Sequence, residues 1–460
     1  MQMNLTCAAV SCPWPLRASL TVLPAAIVYG LVAAATAPAE AAADQPNIIY
    51  IMADDLGYGD LGCYGQKRIK TPHIDRLAEE GTRFTQFYSG CTVCAPARSV
   101  LMTGQHTGHT WVRGNTGRSG RVPLRPQDVT VAEVLKSAGY TTGIVGKWGL
   151  GEPDTTGIPN RQGFDFWFGY LNQAHAHSYY PDYLWRNQEK VILEGNQNGQ
   201  RQQYSHDLMT REALSFVDRS KDRPFFLYLA YTIPHAKLEV PSDAPYSGES
   251  WPQPLKNFAA MITRMDADVG KLMARLKEHG IDDQTLVLFC SDNGPHMEGG
   301  GNYEFFDSNG PLRGMKRDLT EGGIRVPMIA RWPGHVPAGR VSDQVWGMWD
   351  FLPTAAAAAG ARAPDNIDGI SMLPALLGKP QKNHDFLYWE FHEKKQLMQA
   401  VRMGDWKAIR AGLNGRMELY NLKEDLGETA NVADRNPNVI TRIESYLETA
   451  RTDSPEWPVK

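Results

Sequence analysis

The chain has 460 residues, 42% of them hydrophobic, and a formal net charge of −4. That length is far above the size at which a hydrophobic core becomes marginal, and it suits one large α/β domain or two unequal ones. The small net charge, with no stripe of Lys and Arg, excludes the electrostatic footprint of a nucleic-acid binder.

The N-terminal segment differs from the rest. Arg17 precedes an uncharged stretch from Ala18 to Ala39, and the segment closes in small residues that offer Ala41 and Ala43 to a signal peptidase. Residues 1–43 therefore read as a secretory signal, which would send the mature protein to the periplasm or outside the cell. The alternative is an uncleaved anchor, because the run is long enough to span a bilayer. No second apolar run approaches that length, so no stable membrane span is expected after signal removal. Without Cys7 and Cys12 the cysteines are Cys63, Cys91, Cys94 and Cys290. These are too scattered for a disulfide framework, and no second Cys-x-x-Cys completes a zinc site.

Beyond the signal a strand, loop and helix pattern recurs. "NIIYIM" is a short apolar run with β-branched residues, expected as a buried parallel strand that ends at Asp54 and Asp55. "TPHIDRLAEEG" reads as a helix with Thr71 as N-cap and Pro72 at its first position. Ile74, Leu77 and Ala78 share one face, and Gly81 ends it. "CTVCAPARSVLMTG" places Cys94 near the start of another helix, with Pro96 in its first turn and Arg98 one turn on, a setting that favours an anion. Next come a helix, "VTVAEVLKSAG", and three strands. "YTTGIVG" delivers Lys147, "RPFFLYLAYTIPH" delivers His235, and "TLVLFCSDNG" delivers Asp292 and Asn293. Between the last two, Phe258, Met261, Ile262, Met265, Val269, Leu272, Met273 and Leu276 recur at helical spacing and are read as core.

Near residue 380 the texture changes. "DFLYWEF", "MQAVRM", "WKAIR" and "RMELYNL" look like successive strands of an antiparallel sheet, and a last helix carries Ile440, Ile443 and Leu447 on one side. The expected organisation is a catalytic α/β domain over 44–380 and a smaller C-terminal α+β subdomain over 381–460.

In an open parallel α/β sheet, ligands bind beyond the carboxyl ends of the strands, so these strand-end residues should meet on one edge. Asp54, Asp55, Asp292 and Asn293 brought together would repel unless a cation sat among them. All-oxygen ligation calls for a hard ion, calcium or magnesium. The bland alternative is that each Asp caps a loop or helix.

Cys94-Ala95-Pro96-Ala97-Arg98 resembles the Cys-x-Pro-x-Arg signature of the type I sulfatases. "IMADDLGYGDLGCYG", "TGIVGKWGLG", "SDNGP" and "LRGMKRDLTEGGIRVP" accompany it in the family's order. The resemblance implies the alkaline phosphatase superfamily fold, a large mixed and mostly parallel sheet flanked by helices. It implies oxidation of Cys94 to formylglycine by a formylglycine-generating maturase, and calcium, rather than magnesium, on Asp54, Asp55, Asp292 and Asn293. It implies that Arg98, Lys147, His235 and Lys316 hold the sulfate and assist the leaving group. The substrate class is an O-sulfate ester, of a sulfated galactose or N-acetylgalactosamine glycan or an aryl sulfate.

One position departs from the pattern. Gly149 in "GKWGLG" stands where the family commonly has a histidine that assists the formylglycine hydroxyl, and His175, His177 and His109 are the candidates to substitute. Arg113 and His296 follow catalytic motifs closely and are further candidates for substrate contact. Tyr179, Tyr180, Tyr183 and Trp185 offer faces for a ring, or core packing. The rival readings are a formylglycine phosphodiesterase or phosphonate monoester hydrolase, and a non-catalytic binder of sulfated glycans.

Overall fold

A computed structural model describes residues 45–393 and 396–459. The expected signal, residues 1–43, lies outside the described residues. Among those described, no helix is long and apolar enough to cross a membrane.

Ten strands form the main sheet. Their order is Arg340–Ser342, Thr82–Phe84, Met328–Arg331, Thr285–Ser291, Asn47–Ala53, Phe225–Ala230, Thr141–Lys147, Phe166–Tyr170, Tyr183–Arg186 and Glu189–Ile192. The five from Thr285–Ser291 to Phe166–Tyr170 run parallel, while antiparallel pairs close both sides. All seven residues of Asn47–Ala53 are buried, as a central strand covered on both faces requires.

The strand alternation divides the core in two. Ile48, Tyr50 and Met52 point to one face, where Val100 and Leu101 of the helix Cys94–Thr103 and Leu352 of the helix Phe351–Ala358 cover them. Ile49, Ile51 and Ala53 point to the other, against the helices Pro72–Glu79, Ser205–Ser220 and Gln253–Glu278. Each aliphatic side chain so buried stabilises the fold by about 1.5–3 kcal/mol. Of the eight residues expected on the core face of the long helix, all are buried except Met273, which is partly buried against the same core.

The expected helix at Pro72 forms, with Ile74, Leu77 and Ala78 buried. Its ends have other causes than those read from sequence. The Thr71 hydroxyl makes no cap; it accepts from the Gly62 N–H and donates to Asp75. Gly81, just past the helix, is required by close approach, since a Cβ there would lie 2.2 Å from the Ala330 carbonyl oxygen.

The C-terminal region is a separate four-stranded antiparallel sheet, Leu387–Glu393, Gln396–Met403, Trp406–Ala411 and Glu418–Asn421. Ile443 and Leu447 of the helix Pro437–Leu447 pack on Tyr388, Val401 and Leu419, and Ile440 is partly buried beside them.

Candidate active site

Sheet register assembles the centre of the site. Ala53 pairs with Ser291, and Met52 with Ala230, which in turn pairs with Gly146. The residues just past this row, Asp54, Asp292 and Lys147, therefore emerge side by side, and the Lys147 ammonium lies 2.6 Å from Asp54 Oδ2. The helix Cys94–Thr103 lies over the same edge. Its Arg98 donates through Nη2 to Asp292 Oδ2 at 2.8 Å and to Asp54 Oδ2 at 3.2 Å. Cys94 Sγ is 3.2 Å from Lys147 Nζ and 3.6 Å from Asp54 Oδ1.

Asp55 takes a left-handed conformation, φ 67°, which Asp tolerates better than most side chains. Its Oδ2 lies 2.8 Å from Lys316 Nζ and 3.6 Å from His235 Nε2. Asn293 Nδ2 donates to Asp55 Oδ1 at 2.7 Å. Asn293 Oδ1 is buried and has no hydrogen-bond partner among the described residues. A buried amide oxygen without a donor, on a side chain bonded to Asp55 in a cluster of buried carboxylates, is what an oxygen-ligated cation would satisfy.

Electrostatics follow from this packing. Burial would raise the Asp54 carboxyl, but Lys147, His235 and Arg98 outweigh it and hold it below its ordinary value. Asp55 is held further down, burial being overcome by Lys316, His235 and His296. Asp292 goes the other way, pushed up to about 6 by burial and by the neighbouring Asp54 charge. Burial, with Asp54 beside it, pushes the Cys94 thiol up to about 12. Unmodified, this sulfur is a protonated thiol at neutral pH and a poor nucleophile.

His235 is 4% exposed at its side chain, and burial lowers it to about 4 despite the pull of Asp55. Its Nδ1–H donates to the Ala236 carbonyl, which leaves Nε2 to accept from Lys316 Nζ at 3.2 Å. Tyr179, fully buried, donates its hydroxyl to the His235 carbonyl at 2.8 Å and so supports that loop.

The remaining candidates divide. His177 sets its ring 4.6 Å from that of His235, whereas His175 is packed between Tyr170 and Tyr183. His296 lies 3.9 Å from Asp55 Oδ2, and its Nδ1 accepts from the Glu298 N–H. His109 is bound to Asp368 at 2.8 Å. Arg113 makes no hydrogen bond or ion pair with the cluster among the described residues. Its buried guanidinium donates to Thr110, Thr452 and Glu390, and so holds the C-terminal segment.

Gly149 has φ 85°, a conformation that favours glycine, and a Cβ there would meet Gln173 Nε2 at 2.7 Å and Arg98 Cδ at 3.7 Å. The carboxamide of Gln173 thus fills the space into which a side chain at 149 would project, and it donates to the Gly149 carbonyl. Neither Gln173 nor Glu298, 3.5 Å from Lys316 Nζ, is singled out by the sequence reading. Only the proximity of Glu298 to the "SDNGPH" motif would have drawn attention to it. Cys63, Cys91, Cys94 and Cys290 are all free thiols.

Comparison with known proteins finds relatives over most of the chain. Residues 46–361 match the family described as Sulfatase, and residues 301–453 match the family described as N-sulphoglucosamine sulphohydrolase, C-terminal. The chain is 36% identical over 402 residues to arylsulfatase A of Homo sapiens, covering 80% of this chain and 75% of that one. It is 35% identical over 407 residues to N-acetylgalactosamine-6-sulfatase of Canis lupus familiaris, covering 82% of this chain and 74% of the other. Among solved structures, Ps i-CgsB in complex with k-i-k-neocarrahexaose superposes with a TM-score of 0.80 at 33% identity, over 91% of this chain and 95% of that one.

Proposed function

The chain belongs to the sulfatase family and is a sulfuric ester hydrolase, and we propose that it hydrolyses O-sulfate esters through a formylglycine made from Cys94 beside a calcium ion. What supports the reading is that Asp54 and Asp292 share Arg98, Asn293 bonds to Asp55 and keeps a buried oxygen without a donor, and Cys94 and Lys147 lie against Asp54. A formylglycine at position 94 would supply, when hydrated, a nucleophilic hydroxyl for sulfur, and calcium held by Asp54, Asp55, Asp292 and Asn293 would supply a positive centre for the sulfate oxygens.

This chain's own residues do the rest. Lys147 and Arg98 fix Asp54 and Asp292 and hold positive charge where the sulfate oxygens carry negative charge in the transition state. Lys316 lies between Asp55 and His235 Nε2, and protonates the departing alcohol oxygen directly or through that ring. His177, with its ring on His235, is the histidine we assign to the task a residue at 149 would perform.

A sulfated galactose or N-acetylgalactosamine residue is the proposed substrate, by similarity to the N-acetylgalactosamine-6-sulfatase and to the structure solved with k-i-k-neocarrahexaose. Residues 44–380 would form the catalytic domain and 381–460 its C-terminal subdomain, in a protein exported after removal of 1–43. The test is sulfate release from defined sulfated sugars and aryl sulfates, and hydrolysis of a phosphate diester with the same aryl leaving group, by protein made with a maturase. Sulfate release that chelation removes and calcium restores is expected. Dominant diester hydrolysis would overturn the reading.

A further inference from the structure

Beside the buried Lys316 stands one partly exposed acidic group. Glu298 lies in the loop after the strand Thr285–Ser291, with its Oε2 3.5 Å from Lys316 Nζ and its Oε1 2.8 Å from Arg317 Nη1. Its side chain is 34% exposed, against 3% for Lys316. The position is built. The Glu298 N–H donates to His296 Nδ1 at 2.9 Å, and Arg317 is held in a left-handed conformation, φ 80°, with its own N–H donating to Thr92 Oγ1 at 2.8 Å. A non-glycine residue kept in that conformation costs free energy, and such strain concentrates where a side chain must be aimed.

A carboxylate contributes nothing to binding sulfate, which it repels. It does add negative charge beside Lys316, 3.5 Å from its Nζ. With the sulfate at Cys94 and the leaving oxygen at His235 and Lys316, the partly exposed Glu298 is the next group outward from Lys316. We infer that Glu298 is a specificity-determining residue. It selects substrates whose alcohol portion presents hydroxyl groups, and it disfavours those with a second anionic group beside the scissile ester. Discrimination of this kind is achieved by placing an unfavourable charge against the wrong ligand.

The inference rests on the sulfatase reading, and its test separates the two. The mature enzyme and Glu298→Gln are compared on para-nitrophenyl sulfate and its ortho-carboxylate analogue, at two ionic strengths. The expected result is a rise of about tenfold in kcat/KM for the anionic relative to the neutral substrate, carried mainly by KM and diminished by salt. Arg317→Gln, which removes the opposing cation, should move the ratio the other way. An equal loss on both substrates in Glu298→Gln would make Glu298 a positioning residue for Lys316 and overturn the inference, as would an unchanged ratio. Wild-type protein that releases sulfate from neither substrate would remove the sulfatase reading, and this inference with it.

Discussion

Two of the buried charge clusters among the described residues, around Glu390 and around Asp54 and Asp292, look alike in burial and in perturbed carboxyls, yet differ in how they are closed. Around Glu390 every acceptor site is filled. Oε1 takes Arg113 and the His392 ring, and Oε2 takes the Tyr388 hydroxyl and Arg451. Around Asp54 and Asp292 the Asn293 amide oxygen is left without a donor, and a cysteine lies against a buried lysine. The first cluster ties the C-terminal sheet to the segment after the helix Cys94–Thr103; the second leaves an acceptor unfilled. Burial and shifted pKa values alone would have chosen both, and the clamp too leaves one donor, Arg451 Nη2, unpaired, so it is the acceptor left without a donor at the strand ends that separates a candidate site from a clamp.

Mutations should split the two regions cleanly. The largest effect is expected for Cys94→Ala, which should lower sulfate release by on the order of 10⁴-fold or more while leaving the thermal midpoint close to that of the parent. Lys316→Ala and His235→Ala should each cost about 10²- to 10⁴-fold on a sugar sulfate, and distinctly less on an aryl sulfate whose leaving group needs no proton. A uniform loss across leaving groups would contradict their assigned role.

The Glu390 cluster should give the opposite pattern. Glu390→Gln leaves Arg113 buried beside a neutral partner, and denaturant unfolding should report a loss of about 3–5 kcal/mol, with kcat of the folded fraction retained. The pH dependence follows from the same pairing. Burial would raise the Glu390 carboxyl, but His392, Arg113 and Arg451 outweigh it and hold it at about 2 against an ordinary 4.5. A carboxyl lowered on folding contributes stability that is whole above its unfolded value and lost as pH falls through its folded value. The stability gap between parent and Glu390→Gln should therefore be constant above about pH 4.5 and vanish toward pH 2. The smallest effect is expected from calcium. At a hundredfold excess over its dissociation constant it should stabilise the parent by about 2.7 kcal/mol, and Asn293→Ala by less.

Much of the site is legible in the sequence because strand ends are legible. An apolar run that stops at Asp54, Lys147 or Asp292 announces both the strand and what it delivers, and parallel register then brings the three together. The C-terminal strands are readable for the same reason, through their short apolar and aromatic runs. Contacts made by loops are another matter. Gln173 enters the space beside Gly149 only because two loops after neighbouring strands converge there, and no periodicity encodes that meeting. Arg113 follows the nucleophile helix closely in sequence, yet its partner Glu390 is 277 positions away, so a residue near a motif becomes a structural clamp. Gly81 looks like an ordinary helix terminator and is instead required by the backbone of Ala330 across the sheet edge.

The most direct test of the account is the mass of the tryptic peptide carrying Cys94, read together with specific activity, in protein prepared at several levels of maturase. Cys91 lies in the same peptide and should remain a thiol. The account predicts an aldehyde at position 94 and sulfate release that rises in proportion to the converted fraction. Full turnover by protein whose Cys94 remains a thiol would contradict it.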